Sequence, residues 1–219
     1  MNFDARTLQI LKNFSTINPS ILFKPGSVLS TISPTKTIMA KAKINESVEA
    51  PFAIYDLSRF LSTLSLFEKP ELSVETGFMK IKQGSRKINY TFAEPSMIVS
   101  PPEKDIKLPD PEVEFNLSAD NLQELLKALS VLSLPEIAVV GDGSSIFVQV
   151  LDSKNPSGDV YSVTVGETTN KFRMIFKAEN LKLLPGTYDV RISSKGLSHF
   201  NSPEIEYYIA VEASSTFEG

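Results

Sequence analysis

The stretch from Asp4 to Asn18, DARTLQILKNFSTIN, returns in altered form from Ser118 to Leu132, SADNLQELLKALSVL. On a helical wheel Leu8, Ile10, Leu11, Phe14 and Ile17 gather on one side of the first stretch, with Thr7 and Ser15 admitted to it. Gln9, Lys12, Asn13 and Thr16 fall opposite, and Arg6 sits at the edge. Both stretches read as amphipathic helices, the first opened by a capping Asp4 and the second by a capping Ser118. Past its cap the first helix holds no acid, although the 219-residue chain carries a net charge of −4.

Outward from these two helices the same order of elements repeats. SILF and TIMAKAKI follow the first helix; EIAVV, SIFVQVL and VYSVTV follow the second, with Asp142-Gly143 as a tight hairpin turn between two of them. A second helix is predicted in each half. YDLSRFLSTLSLF (Tyr55 to Phe67) has Asp56 as cap, and KAENLKLL (Lys177 to Leu184) is stopped by Pro185-Gly186. Alternating strand-like segments close both halves. Between them, Glu94 to Phe115 holds Pro95, Pro101, Pro102, Pro109 and Pro111, which oppose helix and central strand alike. The predicted organisation is a domain over 1–100, an extended connector over 101–112 and a second domain over 113–219, in the α+β class.

Composition narrows the chemistry. At 42% hydrophobic and 22% charged residues the chain is ordinary globular material. The absence of cysteine removes disulfides, thiolate metal sites and cysteine nucleophiles, and a single histidine cannot build a histidine-based metal site or acid/base pair. No apolar run approaches the length of a membrane span and no leader pattern opens the chain, so a soluble intracellular protein is expected. No catalytic residue, metal or cofactor is predicted, and the chain is expected not to be an enzyme.

The polar faces of the helices carry the functional signal. Lys12 on the first helix is matched by Arg59 on the second, where Ser58, Ser62 and Ser65 complete a face without an acid after the cap. Lys127 lies opposite Leu122, Leu125 and Leu129 but is flanked by Asp120 and Glu124, and Lys182 points outward if Leu181 and Leu184 are buried. One cation on a solvated helix face is unremarkable. Four together, with most acids in strands, loops and the connector, suit weak and sequence-blind attraction to a duplex. Tight non-specific binding, with dissociation constants of roughly 10⁻⁴–10⁻⁶ M, takes many phosphate contacts. A sparse lining suits a protein held on DNA by topology and free to slide.

Several segments resemble the sliding clamp of T-even-type bacteriophages, the DNA polymerase processivity factor. They are ILKNFSTINPSILF (Ile10 to Phe23), AIYDLSRFLSTLSLF (Ala53 to Phe67), DNLQELLKALSVL (Asp120 to Leu132), MKI (Met79 to Ile81), LLPGTYDV (Leu183 to Val190) and EYYIAVEASST (Glu206 to Thr216). They run colinearly over nearly the whole chain. The resemblance implies the DNA-clamp fold, with two similar domains, each of two helices packed on antiparallel sheet. Three chains would close as a homotrimeric ring around double-stranded DNA. It further implies loading by an ATP-driven clamp loader, tethering of the replicative polymerase and use by late-transcription proteins, all in the host cytoplasm.

By position, Lys12 and Arg59 are then the first candidates for the wall of the hole, Lys127 and Lys182 the second, and Arg6 an edge candidate. Partner peptides would insert apolar anchors near Val99, Ile106 and Leu108 of the connector and Tyr208, Ile209 and Val211 near the terminus. The competing class is a β-rich phage structural or adaptor protein. Other signals are weaker. GDGSS (Gly141 to Ser145) lacks the lysine and following helix of a phosphate loop. His199 beside Ser198 has no nucleophile elbow around it and reads as a surface or turn histidine. Asp152 and Asp159 lack metal-loop spacing.

Overall fold

A computed structural model describes residues 2–218. The chain divides into two compact units, Met1–Lys104 and Asp105–Gly219. In the first, helix α1 (Ala5–Ile17) is followed by β1 (Ile21–Phe23), β2 (Gly26–Ile32), β3 (Ile38–Val48) and β4 (Phe52–Ile54). Helix α2 (Leu57–Leu64) and strands β5 (Glu71–Glu75), β6 (Phe78–Gln83) and β7 (Arg86–Thr91) complete it. β1 pairs with β4, β2 with β3, and β5, β6 and β7 form an antiparallel meander.

α1 starts at Asp4, whose Oδ1 accepts from the Thr7 amide at 2.7 Å. That backbone bond, then a side-chain bond from Asn45, hold the Asp4 carboxyl below the usual carboxylate range. The helix buries Thr7, Ile10, Leu11, Phe14 and Ile17 and leaves Leu8 half-buried. Thr7 is tolerated inside because its hydroxyl donates to Glu46 Oε2 on β3 at 2.6 Å. Beneath the helix a file of stacked rings links Phe3, Phe23, Phe52 and Phe92, the Phe23–Phe52 centroids 4.3 Å apart across the β1–β4 pair. α2 is shorter than the segment predicted; Asp56 caps it through the Arg59 amide at 2.8 Å, and Tyr55 and Leu66 lie outside it, each 61% exposed.

The second unit begins its regular structure with β8 (Val113–Leu117) and α3 (Ala119–Leu132). β9 (Glu136–Asp142), β10 (Ser145–Leu151), β11 (Tyr161–Glu167) and β12 (Lys171–Lys177) follow, then β13 (Tyr188–Ser193), β14 (Leu197–Asn201), β15 (Ile205–Ala210) and β16 (Thr216–Phe217). One sheet runs β11-β10-β9-β12-β16, and β15, β14, β13 and β8 pair in that order in another. The Phe176 and Phe200 rings meet edge-to-face between β12 and β14. The Asp142-Gly143 turn forms where predicted: Gly143 takes φ 93°, and Asp142 Oδ1 accepts from the Ser144 and Ser145 amides at 2.8 Å each.

The helix expected over Lys177 to Leu184 does not form. Only a 3₁₀ turn, Ala178–Asn180, is present, and the chain then runs irregularly with Leu181, Leu183 and Leu184 all buried. A helix would turn Leu183 about 200° away from Leu181. The backbone of Leu184 is instead satisfied by tyrosines, its amide donating to Tyr207 Oη at 3.1 Å and its carbonyl accepting from Tyr188 Oη at 2.7 Å. Both hydroxyls are buried.

Tyr207→Phe therefore strands the buried Leu184 amide and is expected to lower unfolding stability by about 1–3 kcal/mol, read by urea denaturation. Asp4→Ala is expected to cost about 1 kcal/mol at pH 7. A lowered folded-state pKa adds stability above the unfolded value near 4 and loses it as pH falls through the folded value. The gap between wild type and Asp4→Ala should accordingly narrow on acidification below about pH 4.

Candidate DNA-facing helices and partner surface

The outward faces of α1 and α2 keep the character read from the sequence. Lys12 and Arg59 are exposed, and no acid follows either cap within the helix. Arg6 is half-buried and donates from Nη1 to Gln9 Oε1 at 3.1 Å along the same face. Lys12 stands at the mouth of a cavity of about 200 Å³ between the two helices, floored by Leu8, Leu61, Leu64 and Phe67. Arg59 lies on the rim of a larger groove, about 670 Å³, where α2 meets β7. Tyr90 of β7 binds the two together: its hydroxyl donates to the Asp56 carbonyl at 3.1 Å and its ring meets Phe60 edge-to-face. Burial, then the Asp56 charge, push the Tyr90 hydroxyl pKa up.

On α3 the arrangement differs. Lys127 is exposed, but so are Asp120 and Glu124 beside it, and the helix ends in two exposed apolar residues, Val131 and Leu132. Glu124 Oε2 accepts from Tyr161 Oη on β11 at 3.0 Å, a bond that raises the tyrosine's pKa. Glu124, Lys127, Ala128, Val131, Leu132 and Tyr161 surround a groove of about 390 Å³. Lys182 is half-buried in the irregular segment after the 3₁₀ turn, so it stands on no helix. Its expected place on a fourth helical face is corrected accordingly, because the tyrosine bonds to Leu184 replace the helical ones.

The predicted peptide-docking residues also separate. Ile106 and Leu108 are half-buried connector residues, and Val99 is 43% exposed, its carbonyl held by Asn18 Nδ2 at 3.1 Å. On β15 the pleat alternates: Glu206, Tyr208 and Ala210 face outward, while Ile205, Tyr207 and Ile209 are buried. Ile209 is 0% exposed and Val211 9% exposed, so both are core residues and only Tyr208 of the three terminal candidates meets the surface. Burial, then Glu206, push the Tyr208 hydroxyl pKa up. His199, expected at the surface or in a turn, is a buried residue of β14 next to Tyr208. Among the described residues no group of three or more His, Cys, Asp or Glu side chains is placed to hold a metal, and no helix is long and apolar enough to cross a membrane.

Residues 4–100 match the family model for DNA polymerase processivity factors, and residues 114–213 match that for the C-terminal part of the gp45 sliding clamp. The sliding clamp of Vibrio phage KVP40 is 32% identical over 221 residues, covering 97% of this chain and 100% of that protein. The sliding clamp of Enterobacteria phage T4 is 32% identical over 228 residues, covering 100% of both. The chain belongs to the phage sliding-clamp family. It is a DNA polymerase processivity factor, which sets aside the structural or adaptor alternative. The clamp fold extends well beyond the phages. A structure of A. fulgidus PCNA, with the C-terminal region of FEN-1 bound, aligns at TM-score 0.70 over 95% of this chain and 96% of that one, at 13% identity.

The sequence reading missed the tyrosine struts from Tyr90 to α2 and from Tyr161 to α3, and the exposed apolar groups Leu66 and Val131 near them. The only signal available was tyrosine in two alternating strands. Because Lys12 and Arg59 are exposed, Lys12→Glu and Arg59→Glu should each leave unfolding stability within about 0.5 kcal/mol of wild type. Ile209→Ala should cost about 2–5 kcal/mol. Paired denaturation curves check both.

Proposed function

We propose that three copies of this chain close as a homotrimeric ring around duplex DNA, each contributing two clamp domains over 1–100 and 113–219 joined by a connector over 101–112. The acid-free outward faces of α1 and α2, on a protein of net charge −4, carry this reading. Lys12 and Arg59 attract phosphate without reading bases, Arg6 assists at the edge of α1, and Lys127 contributes less because two acids flank it. Lys182 is the weakest of the five, having no helix to aim it. The ring acts as a scaffold without chemistry of its own. An ATP-driven loader opens it onto DNA in the host cytoplasm, the replicative polymerase is tethered to it, and late-transcription proteins use the same ring.

Ring closure is supported by two open strand edges. β7 ends its sheet and β11 ends another. Around the β7 edge lie Arg86, Lys87 and Arg59 with exposed Tyr55 and Leu66; around the β11 edge lie Glu124, Asp159 and Glu167 with exposed Val131 and Val160. The charges are opposite and the apolar groups can be buried together. Such a head-to-tail contact between copies generates a ring when its rotation closes. Ile106, Leu108 and Tyr208 of the second unit are the candidate contacts for partner peptides, as PCNA binds the C-terminal region of FEN-1, with Val99 a separate candidate in the first unit; the buried Ile209 and Val211 belong to the core of the second unit.

Polymerase extension on primed circular DNA, with loader and ATP, tests the reading. Adding the protein should lengthen the products, and unchanged product length refutes it. Lys12→Glu with Arg59→Glu should impair retention on DNA while light scattering still reports the wild-type trimer. Leu66→Asp should shift the trimer towards monomer at micromolar concentration, and a wild-type monomer at high concentration would refute the ring.

A further inference from the structure

Beside Tyr208 lies the chain's single histidine. The strand registers set Glu114, Arg191, His199 and Tyr208 directly opposite one another across β8, β13, β14 and β15, so the four share one face of the sheet. The His199 residue is 6% exposed and its ring stacks on that of Tyr208, centroids 4.5 Å apart and planes inclined by 18°. Both ring nitrogens are engaged. Nε2 is 2.8 Å from Glu206 Oε2, and Nδ1 is 3.3 Å from a guanidinium nitrogen of Arg191.

A guanidinium only donates hydrogen bonds. Nδ1 must therefore accept, which leaves the proton on Nε2, donating to Glu206. In this arrangement the ring carries its proton on Nε2 and is held at both ends. Its stacking partner is Tyr208, the one terminal docking candidate at the surface.

We propose that His199 is a positioning residue for partner docking. Held in the Nε2–H tautomer between Arg191 and Glu206, it fixes the ring of Tyr208 as the wall against which a partner's apolar anchor rests. The inference rests on reading Tyr208 as a docking residue. It adds a condition on acidity. A proton on Nδ1 would point a donor at a donor and set a cation against the Arg191 cation, so a protonated His199 gives up Arg191 and is drawn to Glu206 alone. Charged groups act there from several elements: Arg191 on β13, Glu206 on β15, Glu114 opposite Arg191 on β8, and Asp105 of the connector, whose charge reaches Tyr208. The ring packed on Tyr208 shifts with the exchange, and docking weakens.

One histidine in the chain makes its imidazole signals self-assigning in nuclear magnetic resonance. At pH 8, ¹⁵N shifts of the full-length protein should show a protonated Nε2 and a bare Nδ1. Across a pH series the Tyr208 ring signals, identified by their loss in Tyr208→Phe, should move in step with the His199 imidazole signals. His199→Gln can offer its carbonyl to Arg191 and its amide to Glu206 without titrating, whereas His199→Ala offers neither. In binding to the cognate replicative polymerase at pH 8, His199→Ala should lose about 5- to 10-fold, the value of roughly one hydrogen bond. His199→Gln should stay within about 2-fold and lose the wild-type pH dependence, since the variant keeps a neutral donor and acceptor.

An Nδ1–H tautomer overturns the proposal, as do Tyr208 signals indifferent to the histidine or undiminished binding by His199→Ala when Tyr208→Ala is impaired. If His199→Ala does not fold, the wild-type titration and His199→Gln still decide. If wild type binds no polymerase, the docking reading fails, while the resonance measurements judge the positioning of Tyr208 independently.

Discussion

Everything distinctive about the first unit follows from where two aspartates spend their charge. A helix opens with amide groups that have no partner in the helix. Asp4 and Asp56 answer this need for α1 and α2, each turning a carboxylate onto an amide three residues on. The placement also suits the positive end of the helix dipole. Glu46 is drawn in as well, by the Thr7 hydroxyl and the Asp4 amide. Acid thus sits at the helix starts, against β3 and, as exposed Glu49, Glu68, Glu71, Glu75 and Glu94, in loops and strands, while the outward faces of α1 and α2 carry hydroxyls, amides and a few cations. A face of that kind suits soft attraction of polyanions, because its cations are few and Glu68 lines the same cavity as Lys12.

α3 shows what happens when the same fold is capped differently. Ser118 supplies a neutral oxygen to the Asn121 amide, and Asp120 enters the first turn as an exposed charge. Glu124, one turn on, is engaged by Tyr161. The helix therefore has mixed charge along its length and apolar groups at its end. Similar scaffolds in the two halves support different surfaces: the α1 and α2 faces are free of acids, while α3 carries mixed charge and ends in exposed Val131 and Leu132. In each unit a tyrosine on the outermost strand braces a helix, Tyr90 through a backbone carbonyl and Tyr161 through a carboxylate.

Much of this was legible because it is local. Asp4, Asp56 and Ser118 announce helix starts, the apolar spacing of Ile10, Leu11, Phe14 and Ile17 announces a buried stripe, and Asp142-Gly143 announces a hairpin. The pattern failed where tertiary bonds outbid local ones. Leu181 and Leu184 have helical spacing, yet Tyr188 and Tyr207 take the backbone that a helix would need. Leu8 shows a milder case, as a wheel cannot say how wide the covered stripe is. Of the candidate site, Lys12 and Arg59 were readable from amphipathicity alone. Ile209 was misplaced because adjacent residues of a strand face opposite ways, and which face is outside depends on packing that a segment of sequence does not contain. The bonds of His199 to Arg191 and Glu206 were out of reach for the same reason: they depend on the register of three strands.

The two open strand edges have one more consequence. Exposed edges are adhesive, and proteins commonly protect them with charge. Here the protection is selective. Arg86 and Lys87 lie around the β7 edge, and Glu124, Asp159 and Glu167 around the β11 edge, so like edges carry like charge and unlike edges carry opposite charge. A two-fold dimer is discouraged from either side, while unlike edges are invited. In the ring proposed above, contacts between unlike edges would give the assembly a polarity, with every subunit pointing the same way around the circle. A protein riding such a ring would meet a front that differs from the back.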